Sequence, residues 1–250
     1  MPTEKSIDWQ IESIRVTAFV NGQLNPEMLE TWLKQVSENS PSQINKKPSS
    51  FTGVSRSTAG FLRTNWNANR LDVILSSDEP QHSEPIAPIS DLDSLFQRFV
   101  IRIKEIGELT LVDRIAFGLF LTFQVSSESE GLDILSPNIR GFDIPLSARD
   151  FLYRVNYPYK SNTVGGLSIN RLAAWAVGHK QLIEFQINPD GSQVQKNISE
   201  SPTAISLELD INTDQDTHLN ADLDQLSKVL VELENIAVKV ANYGESAMRD

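Results

Sequence analysis

The sequence predicts an α+β protein of two related halves, each roughly strand, helix, three strands and helix, with antiparallel sheets and the helices packed on one face. Three observations carry this. Segments with apolar residues at every second position alternate with segments whose apolar residues fall three and four apart, the periods of strand and helix. Turn-forming Gly, Asn and Pro separate them. The third observation is a repeated layout: RLDVILSSDE leads through a connector to DLDSLFQRFV, and SLELDINTDQ leads through another to DLDQLSKVLV. Each reads as strand, acidic loop and a helix opening Asp-Leu-Asp-x-Leu, and each closes its half. The halves meet near Gly107, giving 1–107 and 108–250, packed as one unit because no flexible linker parts them.

The elements follow in order. IESIRVTAFV places Ile14, Val16, Ala18 and Val20 on one face, and its β-branched content favours a strand. Asn25 before Pro26 is a helix start, a capping side chain followed by a residue whose missing N–H costs nothing at the first helical position. Met28, Leu29, Trp32, Leu33 and Val36 then share a helical face. SENSPSQINKKPSS reads as a polar loop, and FTGVSRS, GFLRTNW and RLDVILS as three strands. The prolines at 80, 85 and 88 make Ser76 to Ser90 an extended connector, with Ser90 as N-cap of a helix whose apolar face runs from Leu92 to Ile103.

In the second half LTLVDRIAFGLFLTFQV is a long strand, and SARDFLYRV is a short helix or a strand. INRLAAWAV, KQLIEFQI and AISLELDI follow as strands, the second ending in the turn Asn188-Pro189-Asp190-Gly191. Leu223, Leu226, Leu230, Leu233, Ile236 and Val240 mark a C-terminal helix that stops at Asn242 and Gly244.

A chain of 250 residues buries roughly 70 to 75% of its unfolded surface, so its core needs no metal or disulfide. There is no cysteine, which excludes disulfides, thiolate catalysis and zinc–cysteine sites and fits a reducing cytoplasm. MPTEKSIDWQ lacks the basic end and apolar run of a secretory signal, so export by that route is not expected. The longest apolar run, Ile115 to Phe123, is nine residues, far short of the ~20 that cross a bilayer. The net charge of −11 repels phosphate backbones and anionic lipid on average. Yet residues 184–250 hold thirteen acids against four bases, and residues 41–76 hold five bases against one acid.

Two segments are candidate sites. DINTDQDTHLNAD places oxygen-bearing side chains at Asp210, Asn212, Asp214, Asp216 and Asp222, the donor type that calcium takes. A calcium loop wants glycine at its sixth position and a carboxylate at its twelfth; here these are Gln215 and Ala221. The stretch also resembles the calcium loops of dockerin domains, with the glycine missing and one residue inserted. Solvated loop and capping residues are therefore the preferred reading, with no cofactor, and a calcium module or a metal-dependent hydrolase or phosphodiesterase using residues 208–222 as the alternative. The second segment, Lys46 to Arg70, interleaves Lys47, Arg56, Arg63 and Arg70 with Phe51, Phe61 and Trp66, the residue types of a single-strand nucleic-acid groove. Alternation suggests instead that its aromatics face the core and its bases face water, where they suit a protein partner or self-association better than nucleic acid.

Catalytic motifs are absent. The three histidines, His82, His179 and His218, fall in no recognised pattern, Gly166-Leu167-Ser168-Ile169-Asn170 lacks the second glycine of a nucleophile elbow, and no catalytic residue is assigned. DRIAFGLFLTF followed by AISLELDIN, an acidic loop and a long terminal helix resembles a sporadically distributed family of uncharacterised bacterial and archaeal proteins of about this length. The likeness covers mainly the second half. It implies an α+β fold and an accessory role in host defence, and transfers no functional residues. The expected function is a non-enzymatic interaction or regulatory subunit of a cytoplasmic assembly.

Overall fold

A computed structural model of the chain describes residues 7–77, 84–106, 109, 112–141, 143–179, 183–187, 193–197, 202–215, 219 and 223–249. Its frame is a ten-stranded antiparallel sheet with the order β2-β3-β4-β5-β1-β7-β12-β9-β8 and a two-residue strand, β6, beside β1. The strands are β1 (Gln10–Val20), β2 (Gln43–Lys47), β3 (Ser50–Ser57), β4 (Gly60–Asn67), β5 (Arg70–Ser76), β6 (Ala87–Pro88), β7 (Val112–Gln124), β8 (Phe151–Lys160), β9 (Ser168–His179) and β12 (Thr203–Thr213). Between the last two, β10 (Ile183–Ile187) and β11 (Gln193–Asn197) pair as a separate hairpin. The turn expected at Asn188 to Gly191 lies outside the described residues, as does Gly107.

The β1–β7 pair lies at the centre of the sheet. β1 and β7 run antiparallel from Gln10 opposite Thr122 to Val20 opposite Val112. Outward from it come β5, β4, β3 and β2 on one side and β12, β9 and β8 on the other. Both central strands are rich in Ile, Val, Leu and Phe because each is flanked by strands on both edges and covered on one face.

Helices lie on that one face. α1 (Pro26–Ser37) packs over β3 and β4, and a Cβ on Gly53 would come within 2.6 Å of Leu33 Cδ2. α2 (Leu92–Leu95) continues through a wide π turn at Phe96–Val100 and a tighter 3-10 turn at Ile101–Glu105, and sets Phe96 edge-on to Phe117 of β7 at 5.8 Å. α3 (Glu128–Leu135) covers β9 and β12, and α4 (Leu223–Tyr243) covers β7 and β12. All four tryptophans are buried, and three indoles find carbonyls: Trp9 Nε1 donates to Ala241, Trp32 to Arg102 and Trp66 to Ala68.

Several elements depart from expectation, among them β6, inside the segment read as a connector, and β11, for which no strand was read. β2 lies in the segment read as a loop: Gln43 to Lys47 pair with Val54 to Ser50, but all five residues are exposed, so the strand leaves no apolar period. α3 was not anticipated, although Ser127-x-x-Glu130 is a capping pattern; Ser127 Oγ accepts from the Glu130 amide, and the Glu130 carboxylate accepts from the Ser126 amide. At Ser90 no side chain caps the helix, which opens as a 3-10 turn, Ile89–Asp91. SARDFLYRV resolves as strand β8, with Phe151, Tyr153, Val155, Tyr157 and Tyr159 packed against the core.

Candidate functional site

Strand alternation leaves the opposite face of this sheet without a described helix. The registers give its composition directly. Arg63, Ile74, Arg15, Gly118, Asp210, Leu172 and Asn156 stand in one row across seven strands. The adjacent row holds Arg56, Phe61, Ser76, Ser13, Phe120, Glu208, Ala174 and Arg154. Rows of the other parity, such as Thr64, Val73, Val16, Phe117 and Ile211, point at the helices.

Side chains of this face bond across strands. Asn156 Nδ2 donates to Asn170 Oδ1 at 3.2 Å, and Asn170 Nδ2 to Asn212 Oδ1 at 3.2 Å. Arg114 Nη2 donates to the same Asn212 oxygen at 2.8 Å, and Asn212 Nδ2 donates to Asp210 Oδ1 at 3.0 Å. Arg15 Nη2 approaches Asp210 Oδ2 at 3.9 Å, so one polar chain links β8, β9, β12, β7 and β1. Gly118 makes room for it: a Cβ there would stand 3.3 Å from Arg15 Nε. Further along, Arg70 grips Asp72 with two donors at 2.8 and 2.9 Å, and Thr17 Oγ1 donates to Asp72 at 2.5 Å. The guanidinium groups of Arg114 and Arg70 lie 5.3 and 6.0 Å from the centre of the Phe19 ring.

One corner is apolar and hollow. Small residues on two neighbouring strands, Ala176 and Gly178 on β9 and Ala204 and Ser206 on β12, form its floor, while Phe120 on β7 and Leu152 on β8 stand as walls. The cavity holds about 340 Å³. Leu152 is 67% exposed.

The acidic-loop candidates divide. Asp210 and Asn212 lie on β12, two apart on the uncovered face, their oxygens accepting from Asn212, Arg114 and Asn170 and facing Arg15. Asp214 follows the strand end, and its amide donates to Ser168 O. Asp216 and Asp222 lie outside the described residues, as do His82 and His218. Among the described residues no group of three or more His, Asp or Glu converges. With two of the five candidates committed to arginine and asparagine donors, submillimolar calcium is expected to leave the melting temperature unchanged. A rise that Asp210→Ala abolishes would reverse that reading.

The basic segment also divides. Arg56, Arg63 and Arg70 lie on the uncovered face, and Lys47 shares their parity on β2. Lys46 turns to the helix face, bonding Glu27 at 2.8 Å and Glu30 at 2.7 Å of α1, and Trp66 is buried there. Lys34, and after it Lys46, hold the Glu30 carboxyl below the usual carboxylate range. Arg15, Arg114, Phe19 and Phe120 join the face from strands outside the segment. Their alternation in IESIRVTAFV and DRIAFGLFLTF was the available signal, but only the β1–β7 register aligns them.

His179 closes β9 beside the cavity, its Nδ1 3.3 Å from Thr203 Oγ1 and its Nε2 3.6 Å from Glu128. No helix among the described residues is long and apolar enough to cross a membrane. No protein-family model matches the chain. No curated protein matches it significantly.

Proposed function

We propose that this chain is a non-enzymatic interaction or regulatory subunit of a cytoplasmic assembly, and that it engages a protein partner through the uncovered face of its sheet. One observation carries the reading: an acidic protein, net −11, gathers Lys47, Arg15, Arg56, Arg63, Arg70, Arg114, Arg154 and Lys160 on the one broad face that no described helix covers. Nine strands at ~4.8 Å and about ten residues of length at ~3.3 Å make a face on the order of 1,400 Å², above the ~800 Å² that each partner gives to a stable complex. Its character supports a protein rather than a polyanion. Arginine and phenylalanine lead its centre and lysine is confined to its edge strands, the bias of protein interfaces. The strand order, mirrored about β1 and β7 as far as β3 and β8 with β2 left over, supports descent of the two halves from one β-α-β-β-β-α unit, so that one binding face was made by joining two.

Affinity capture from the source organism tests this. Wild type and Lys104→Glu, a change on an exposed turn of the helical layer, are expected to retain one stoichiometric protein, and Ala174→Arg, on β9 of the uncovered face between Glu208 and Arg154, to lose it. Equal capture by Ala174→Arg, or a copurifying divalent metal with no partner, would refute the proposal.

A further inference from the structure

Resting on the reading that this face binds a protein, we infer that the bound element is an extended segment carrying one bulky apolar side chain and, about six or seven residues away, a cluster of carboxylates. The apolar side chain enters the corner cavity. Its floor of Ala176, Gly178, Ala204 and Ser206 is lower than its walls because small side chains on two adjacent strands sit between Phe120 and Leu152 on the strands outside them. A Cβ added to Gly178 would meet nothing within 4 Å, so the space above the floor is open. The cavity's 340 Å³ accommodates a phenylalanine, tryptophan or leucine side chain, and burying one such side chain supplies roughly 1.5 to 3 kcal/mol.

The carboxylates lie over Arg56 and Arg63 on β3 and β4. Arg63 has no ion-pair partner among the described residues and is exposed. β4 stands four and five strand spacings from β12 and β9, whose residues floor the cavity. At ~4.8 Å per spacing this is ~22 Å, which an extended chain covers in about six or seven residues. The register row between the two sites holds Ser13 and Ser76, short side chains over which a chain can pass.

Nucleic acid fits less well, because Asp72, Glu208 and Asp210 interrupt the cations, and a phosphate backbone needs an unbroken positive track. A second copy offering the same face would set arginines against arginines.

The test is selection of a displayed library of random peptides of about twelve residues, ~40 Å when extended, on the full-length protein. Fluorescent oligothymidylate binding and sedimentation of the protein alone across concentrations run in parallel. The expected result is enrichment of peptides with one Phe, Trp or Leu and acids six or seven residues away. Their affinity falls roughly tenfold or more in Ala176→Trp, which fills the cavity, and in Arg63→Glu. Leu152→Ala trims an exposed wall without touching the core, and should weaken the same peptides with an unchanged melting temperature. Peptides lacking either feature, affinity indifferent to these variants, oligothymidylate binding alone or concentration-dependent self-association through this face would each overturn the inference. So would no enrichment; a partner captured from cells in that event would leave the broader proposal standing and remove this one.

Discussion

Replacing Glu245 with alanine is expected to lower stability by about 2 to 4 kcal/mol, the cost of deleting a buried carboxylate that accepts four hydrogen bonds, two of them from the half-exposed Arg249. Glu245 follows Gly244, which ends α4 at φ +60; a Cβ at 244 would lie 2.4 Å from Asn138 O, so the turn there depends on glycine. The turn drives Glu245 inward to zero exposure. Its carboxylate accepts from the Arg140 amide at 2.8 Å, from Tyr157 OH at 2.9 Å and from Arg249 Nη2 and Nε at 2.6 and 3.1 Å. These contacts tie α4, the loop after α3 and strand β8 to one point. Arg171, nearly buried on β9, adds a bond to Met248 O at 2.6 Å.

Burial alone would push the Glu245 carboxyl up, but the Arg140 amide, Arg249 and Tyr157 outweigh it and hold the group below its ordinary 4.5. Its stabilising contribution is therefore complete above the ordinary carboxylate range and is lost as pH falls through the depressed folded value. Thermal melts should place Glu245→Ala about 10 °C below wild type at neutral pH for a chain of this size, with the gap narrowing on acidification. Glu245→Gln, which keeps shape and one acceptor, should lose less. A loss under about 1 kcal/mol would mean that the contacts are incidental. The uncovered face lies on the other side of the sheet, so capture of a partner at low temperature should survive either change.

Legibility in the sequence followed the range of the interaction that fixes each element. β1, β7, β12 and α4 are long, strongly periodic and buried on one side, and their patterns are visible because burial wrote them. β2 escaped because Gln43 to Lys47 bury nothing, and its strand character comes from pairing with β3. α2 was visible as an apolar face from Leu92 to Ile103, but not as a helix that widens at Phe96 and tightens at Ile101.

The uncovered face was half legible. Arg56, Arg63 and Arg70 were conspicuous in one segment, whereas Arg15 and Arg114 belong to strands about a hundred residues apart that only the central pairing makes neighbours. Asp210 and Asn212 looked like ligands by spacing. On a strand, residues two apart share a face, and what they meet is set by the adjacent strands: here Arg15, Arg114 and Asn170. The corner cavity depends on small residues of β9 and β12 coming level between Phe120 and Leu152, a property of register that no local pattern carries.

Glu234→Gln should act in the opposite direction to the changes at Glu245 and raise stability at alkaline pH. Glu234 lies in the middle of α4, 6% exposed, within reach of the Asp93 charge. Burial, with the charge of Asp93 as a second cause, pushes its carboxyl up to about 7. The unfolded chain holds the same group near 4.5, so between these values the folded state binds more protons and stability falls as pH rises. The penalty is absent below the unfolded value and complete above about 7, where it is on the order of 3 kcal/mol. Glutamine matches the protonated carboxyl in shape and never ionises. Denaturant melts at pH 8 should show the variant more stable by up to about 3 kcal/mol, and melts at pH 4.5 should show little difference. Asp93→Asn should reproduce a smaller part of the gain, since it removes the second cause and leaves the first. An effect of Glu234→Gln that is equal at both pH values, or destabilising at pH 8, would show that the carboxylate is held by the helical layer as an ion.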